Sequence, residues 1–119
     1  MDKKALGHWG EEQAAKYLKL RAYKILDMNY SCRMGEIDLI AKRGKYIVFV
    51  EVKLRKNSVF AAAREFVNYA KQQRIITTAQ LYLQEHGIEL QPRFDVIEIY
   101  APNGTEGKIS IEHIEDAFM

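Results

Sequence analysis

The stretch GEIDLIA (35–41), KRGK (42–45), YIVFVEVK (46–53) decides how this chain folds. Two runs rich in large and β-branched apolar residues flank a short basic segment containing Gly44, the pattern of a β-hairpin. Successive side chains on a strand point to opposite faces, so parity determines which of them meet. Closing the hairpin symmetrically about Arg43-Gly44 sets Asp38 opposite Phe49 and Glu36 opposite Glu51. It also puts Ile37, Leu39 and Ala41 on one face with Val48, Val50 and Val52, a wholly apolar layer. The other face is apolar near the turn, at Ile40, Ile47 and Phe49, and charged away from it, at Glu36, Asp38, Glu51 and Lys53. Asp38 then lies diagonally from Glu51, with Cβ atoms roughly 7–8 Å apart. Two carboxylates so spaced can share one divalent metal. A slip of one residue would scatter them, and only the parity chosen here sorts both faces chemically.

Outward from the hairpin, the chain reads as a single domain over residues 1–119. On the N-terminal side, residues from about Asp2 to Arg21 have helical spacing, with Asp2 as the cap and Leu6, Gly10, Ala14, Tyr17 and Leu18 as the core stripe. Gly7 and Gly10 are unfavourable inside a helix and predict either a later start or a close approach by another backbone. Tyr23 to Tyr30 reads as a first strand and a sheet edge, and Ser31 to Met34 as a loop carrying Cys32. On the C-terminal side, a basic run (Leu54 to Ser58) leads to a helix over Ala61 to His86, capped near Ser58 and stopped by Gly87. Its apolar stripe includes Phe66, Val67, Tyr69, Ala70, Ile75, Ile76, Ala79, Tyr82 and Leu83. Arg93 to Tyr100 is a further strand, Ala101 to Lys108 a turn-rich loop and Ile109 to Ile114 a short last strand. The order α-β-β-β-α-β-β predicts an α/β sandwich, a mixed central sheet flanked by helices.

Composition narrows the function classes. Eighteen Lys and Arg against sixteen Asp and Glu give a net charge of +2, so any nucleic-acid affinity has to come from clustering. Cys32 is the lone cysteine, which excludes an internal disulfide and points to a reducing cytoplasm. The N-terminal residues carry no apolar segment of signal-peptide type, and no apolar run has the length of a membrane span. His8, His86 and His113 lack metal-ligand spacing, and neither a phosphate-binding glycine loop nor a dinucleotide fingerprint is present.

The chemistry-bearing set is Asp38 followed by Glu51-Val52-Lys53. Phosphodiester hydrolysis requires an activated water and neutralised phosphate charge, which a carboxylate-held divalent metal supplies. Mg²⁺ keeps several waters and needs only a few protein oxygens, and Mn²⁺ is a usual substitute. Lys53 is placed to orient the water or to stabilise developing charge. Charged pairs two apart also occur as plain cross-sheet salt bridges. What favours a site is that Glu51 and Lys53 end a strand that is otherwise large and apolar, where buried charges need partners. Arg55, Lys56, Lys71 and Arg74 form the expected nucleic-acid-binding surface beside it.

The segments GHWGEEQAAKYL, YKILDMNY, GEIDLIA, VFVEVKLR and AKQQRIITTAQLYL together resemble the YraN-like family of uncharacterised bacterial proteins. The resemblance reaches to about Tyr100, and the pairing of GEIDLI with VFVEVK is its most specific part. That family is similar to the restriction-endonuclease-like PD-(D/E)XK superfamily, near the archaeal Holliday-junction resolvases. The resemblance implies an endonuclease fold and a Mg²⁺-dependent endonuclease acting on structured DNA. It implies that Asp38, Glu51 and Lys53 are the metal acid, second acid and lysine, and that Glu11 is the helical acid completing the metal set. Ile37 stands where the motif's first half carries proline. Two other readings of the same residues stay open: a non-catalytic nucleic-acid-binding module and a protein-interaction domain. The Tyr23–Tyr30 edge also allows a homodimer.

Overall fold

A computed structural model describes residues 2–56 and 67–118. Helix α1 spans Lys3–Leu20, and three strands follow: β1 (Lys24–Cys32), β2 (Gly35–Arg43) and β3 (Tyr46–Arg55). Helix α2 (Tyr69–His86) leads to β4 (Gln91–Tyr100), a 3-10 turn at Gly104–Glu106 and β5 (Ser110–Ile114). The five strands lie in the sheet in chain order. Every neighbouring pair is antiparallel except β3 and β4, which are parallel and joined through α2. The element order and mixed sheet agree with the sandwich read from the sequence, down to the last short strand. Among the described residues no helix is long and apolar enough to cross a membrane.

The helices start and stop for local reasons. Asp2 caps α1, its Oδ1 accepting the N–H of Ala5 at 2.7 Å. Asn68 caps α2 by accepting the N–H of Lys71 at 2.9 Å, and Gly87, left-handed at φ 59°, closes it. The second helix therefore begins at Tyr69 rather than running on from Ala61, because Asn68 has extended backbone (φ −70°, ψ 165°) and spends its side chain on the cap. Ala61, the expected cap Ser58 and the stripe residue Phe66 lie outside the described residues. Strand β1 extends through Cys32, leaving only Arg33 and Met34 in the turn to β2. Pro92 belongs to β4, in a part of that strand paired with β3 alone, where a missing N–H costs no ladder bond to β5.

The sheet separates two cores. On one side Ala14, Ala15 and Leu18 of α1 pack on Leu39, Ala41, Val48, Val50, Ile97 and Ile99. On the other, Ile75, Ala79 and Tyr82 of α2 pack on Ile40, Ile47, Phe49, Phe94 and Val96. Alternation along β3 thus assigns odd residues to the α2 side and even residues to the α1 side.

The hairpin closes one residue later than symmetry about Arg43-Gly44 would give. Its turn is Gly44-Lys45, with Gly44 at φ 58°, and the pairs run from Arg43↔Tyr46 to Leu39↔Val50. Phe49 therefore faces Ile40, not Asp38. The displacement moves each partner by two residues, so parity and the two-faced sorting survive. Ile37 is the exception, since it packs in the α2-side cluster with its cross-strand partner Tyr30 instead of joining Leu39. The change of face falls where Asn29 takes a left-handed φ of 55° and the regular β2–β3 ladder ends.

Candidate metal and nucleic-acid site

The site is built where that ladder ends. Past Leu39↔Val50, the carboxylate of Asp38 replaces a backbone acceptor: its Oδ2 takes the N–H of Val52 at 2.9 Å. This pins Asp38 beside the last part of β3. Glu51, on the α2 side of that strand, is 7% exposed. Its Oε1 accepts a hydrogen bond from Lys71 Nζ at 2.5 Å and lies 4.0 Å from Lys53 Nζ. Glu11 comes from α1, across the sheet, with a 14% exposed side chain.

Electrostatics tie the three acids together. Burial raises the Asp38 carboxyl to about 6; the Val52 N–H opposes this, the Glu11 charge and a hydrogen bond with that carboxyl reinforce it, and the Lys71 charge opposes it. Burial also raises Glu51, with the charge of Asp38 adding to it and Lys71 and Lys53 pulling it back. Asp38 and Glu51 keep their protons above the ordinary carboxylate range chiefly because burial penalises the charged form, even with two lysines beside Glu51. Glu11 Oε1 is buried without a hydrogen-bond partner among the described residues; His8 Nδ1 stands 3.5 Å from it, within ion-pair reach but not hydrogen-bonded.

An all-carboxylate donor set with one orphaned buried oxygen fits a hard divalent cation such as Mg²⁺ or Mn²⁺. Asp38, Glu51 and Glu11 are the residues that would hold it. Among the described residues no three His, Cys, Asp or Glu side chains already converge on one point as a cage. The place against Glu51 Oε1 is taken by the Lys71 ammonium.

The structure brings some of the expected residues together and separates others. Asp38, Glu51, Lys53 and Glu11 form one neighbourhood. Glu36 does not join it; exposed, it pairs with Ser31 of β1 and borders a cleft of about 570 Å³. Lys71 and Arg74 line that cleft together with Arg33. Arg33 is a cation that pattern reading missed; its only signal was its place in the short loop entering GEIDLI. Arg55 departs from the expected surface and binds Glu98, Nε to Oε2 at 3.1 Å, because a carboxylate only 1% exposed requires a counter-charge. Lys56 is exposed at the end of β3.

The glycines before Glu11 do less than their position implied. A Cβ on Gly7 would meet nothing within 4 Å, and one on Gly10 would only touch Leu54 at 4.0 Å, ordinary contact. A tighter approach than at either of these lies at Gly35, where a Cβ would fall 3.0 Å from Thr78 Oγ1 and 3.6 Å from Arg74 Cβ, at φ 154°. Glycine there lets the start of β2 lie against α2 and shapes the cleft.

The elements define a mixed α/β sandwich, a five-stranded mixed sheet with helices on its two faces, a layout consistent with a nuclease-like sandwich. Residues 10–99 match the model of uncharacterised protein family UPF0102. A UPF0102 protein of Caldanaerobacter subterraneus subsp. tengcongensis is 44% identical over 119 residues, covering 99% of this chain and 98% of its own. One from Clostridium tetani is 47% identical over 117 residues (98% and 95%), and one from Christiangramia forsetii is 38% identical over 114 residues (96% and 93%). The chain belongs to family UPF0102, the YraN-like family that its sequence resembles.

Proposed function

We propose that this protein is a Mg²⁺-dependent endonuclease, with Mn²⁺ as a substitute, that hydrolyses phosphodiester bonds in structured DNA. The observation that carries the reading is that two carboxylates on adjacent strands, Asp38 bonded to the Val52 N–H and Glu51 next to Val52 on β3, act on one another, with Glu11 acting on Asp38 from the other side of the sheet. A divalent ion bound there supplies Lewis acidity and a lower pKa for its water. The protein's own part is to fix three carboxylates through strand, hairpin and helix. Lys53, on the same side of β3 as Glu51, is placed to stabilise charge developing on the phosphate. Arg33 and Arg74 neutralise phosphates flanking the cut, with Lys56 available at the end of β3. The lone Cys32 accords with a cytoplasmic protein.

The deciding experiment is a cleavage panel of duplex, single-stranded, flap and four-way-junction DNA, with and without Mg²⁺ or Mn²⁺, run beside Glu51→Gln. Metal-dependent cutting that disappears in the variant supports the reading. Cleavage surviving Glu51→Gln at full rate sinks it. A second reading, a non-catalytic nucleic-acid-binding module, draws on Lys71 sitting against Glu51; it predicts binding to branched DNA with no cutting in either metal.

A further inference from the structure

We infer that Lys71 is an internal counter-cation that holds Glu51 in the absence of metal, and that metal entry drives its ammonium into the cleft beside Arg33 and Arg74, where it becomes a phosphate ligand. This rests on the metal-site reading above. Lys71 sits in the first turn of α2 with its backbone N–H fixed by the Asn68 cap, so its four-carbon stem swings about an anchored base. The ammonium has two environments within reach. One is Glu51 Oε1, at 2.5 Å on a side chain only 8% exposed. The other is the cleft of about 570 Å³, which Lys71 itself lines with Arg33 and Arg74. Its side chain is 38% exposed, so leaving the carboxylate requires no unpacking of the core.

A divalent ion on the same carboxylate removes the reason for Lys71 to stay. It takes the oxygen lone pairs that the ammonium uses and repels the ammonium at short range. Among the described residues Lys71 is thereby the one group shared by the acid site and the cleft, and occupation of one favours occupation of the other. The coupling is reciprocal: phosphates in the cleft that attract Lys71 away from Glu51 also tighten the metal.

Two measurements without DNA test this. Mn²⁺ binding, followed by electron paramagnetic resonance, is compared between the wild-type protein and Lys71→Met, which keeps an unbranched stem and removes the charge. The variant binds Mn²⁺ roughly fivefold tighter or more, from the charge–charge energy at this range. In the wild-type protein, amine labelling read by mass spectrometry gives the reactivity of Lys71 against exposed Lys19 as reference; Mn²⁺ raises Lys71 labelling and leaves Lys19 unchanged. Mn²⁺ bound with Lys71 reactivity unchanged or lowered overturns the displacement while leaving the metal site standing. So does a Lys71→Met protein that binds Mn²⁺ no tighter than wild type. Absence of Mn²⁺ binding by both proteins removes the metal-site reading and this inference with it.

Discussion

Asp38 Oδ2 accepts the backbone N–H of Val52 at 2.9 Å, so a side chain takes over the β2–β3 pairing where the regular ladder stops. The same carboxylate is raised to about 6, chiefly by burial. A folded value above the ordinary one means the native state binds the extra proton; stability contributed this way is present at low pH and lost as pH rises through about 6. Asp38→Asn keeps an acceptor for Val52 and removes the charge. The expected outcome is a fold more stable at pH 7 by on the order of 1–3 kcal/mol, with the advantage shrinking toward pH 4 and cleavage lost throughout. Denaturant titrations at both pH values check it, and an Asn variant less stable at pH 7 would contradict the electrostatic account.

Glu51→Gln preserves shape and deletes one negative charge. Mn²⁺ affinity falls roughly tenfold or more, while DNA binding holds or strengthens because a charge near the phosphates is gone. Lys53→Ala has the opposite profile, with metal affinity near wild type and a single-turnover rate lower by roughly 10²–10³-fold. If both variants lose metal equally, Lys53 is shaping the site and not acting on the phosphate.

Arg33 and Arg74 line one cleft. Replacing both by Ala weakens DNA binding across sequences and flattens the salt dependence of log K by about one unit of slope for each phosphate contact removed. Equilibrium binding from 50 to 200 mM salt measures this, and an unchanged slope would place the phosphates elsewhere.

Gly35→Ala is expected to cost about 1–3 kcal/mol, the usual range for overpacking. Thr78 Oγ1, the atom that a Cβ would strike, is held by its bond to Arg74 C=O at 2.7 Å and yields poorly. Thermal melts test it; a neutral effect would mean that the start of β2 swings free of α2.

On the far side of the sheet, Asp95 is fully buried between Arg93 Nη2 at 2.8 Å and His113 Nε2 at 2.6 Å, and Tyr17 Oη meets the other ring nitrogen at 3.2 Å. Burial alone would raise Asp95, but bonds from His113, Arg93 and the Asp116 N–H hold it below the ordinary carboxylate value. A lowered folded value contributes stability above the unfolded value, near 4, which is lost as pH falls below it. Asp95→Asn therefore costs about 3–5 kcal/mol at pH 7 and markedly less at pH 3, measured by urea unfolding.

How much of this was legible depended on the kind of force responsible. Parity along β2 and β3 is set by the hydrophobic pattern, so the co-location of Asp38, Glu51 and Lys53 could be read from residues 35–53. It survived a turn placed one residue off because the displacement was even. Ile37 could not be read so, since its change of face depends on the break at Asn29 and Asp38, where pairing stops being regular. The partners of Arg55 and Lys71 were hidden for a different reason. Each is chosen by a buried carboxylate on another element, and sequence spacing carries no information about Glu98 meeting Arg55 or Glu51 meeting Lys71. The Asp95–His113 network, assembled from two strands and two tyrosines, left no local motif at all.

The parallel pairing of β3 with β4 also orders events in time. Strands β1, β2 and β3 join neighbours through short turns and close early, whereas β4 can join only after the crossover through α2 has been bridged, a longer and slower closure. The expected consequence is that Asp38 and Glu51 meet in the meander before Lys71 docks, so that acid, which protonates the pair, speeds refolding. Stopped-flow refolding at acid and neutral pH checks it, and equal rates would contradict it.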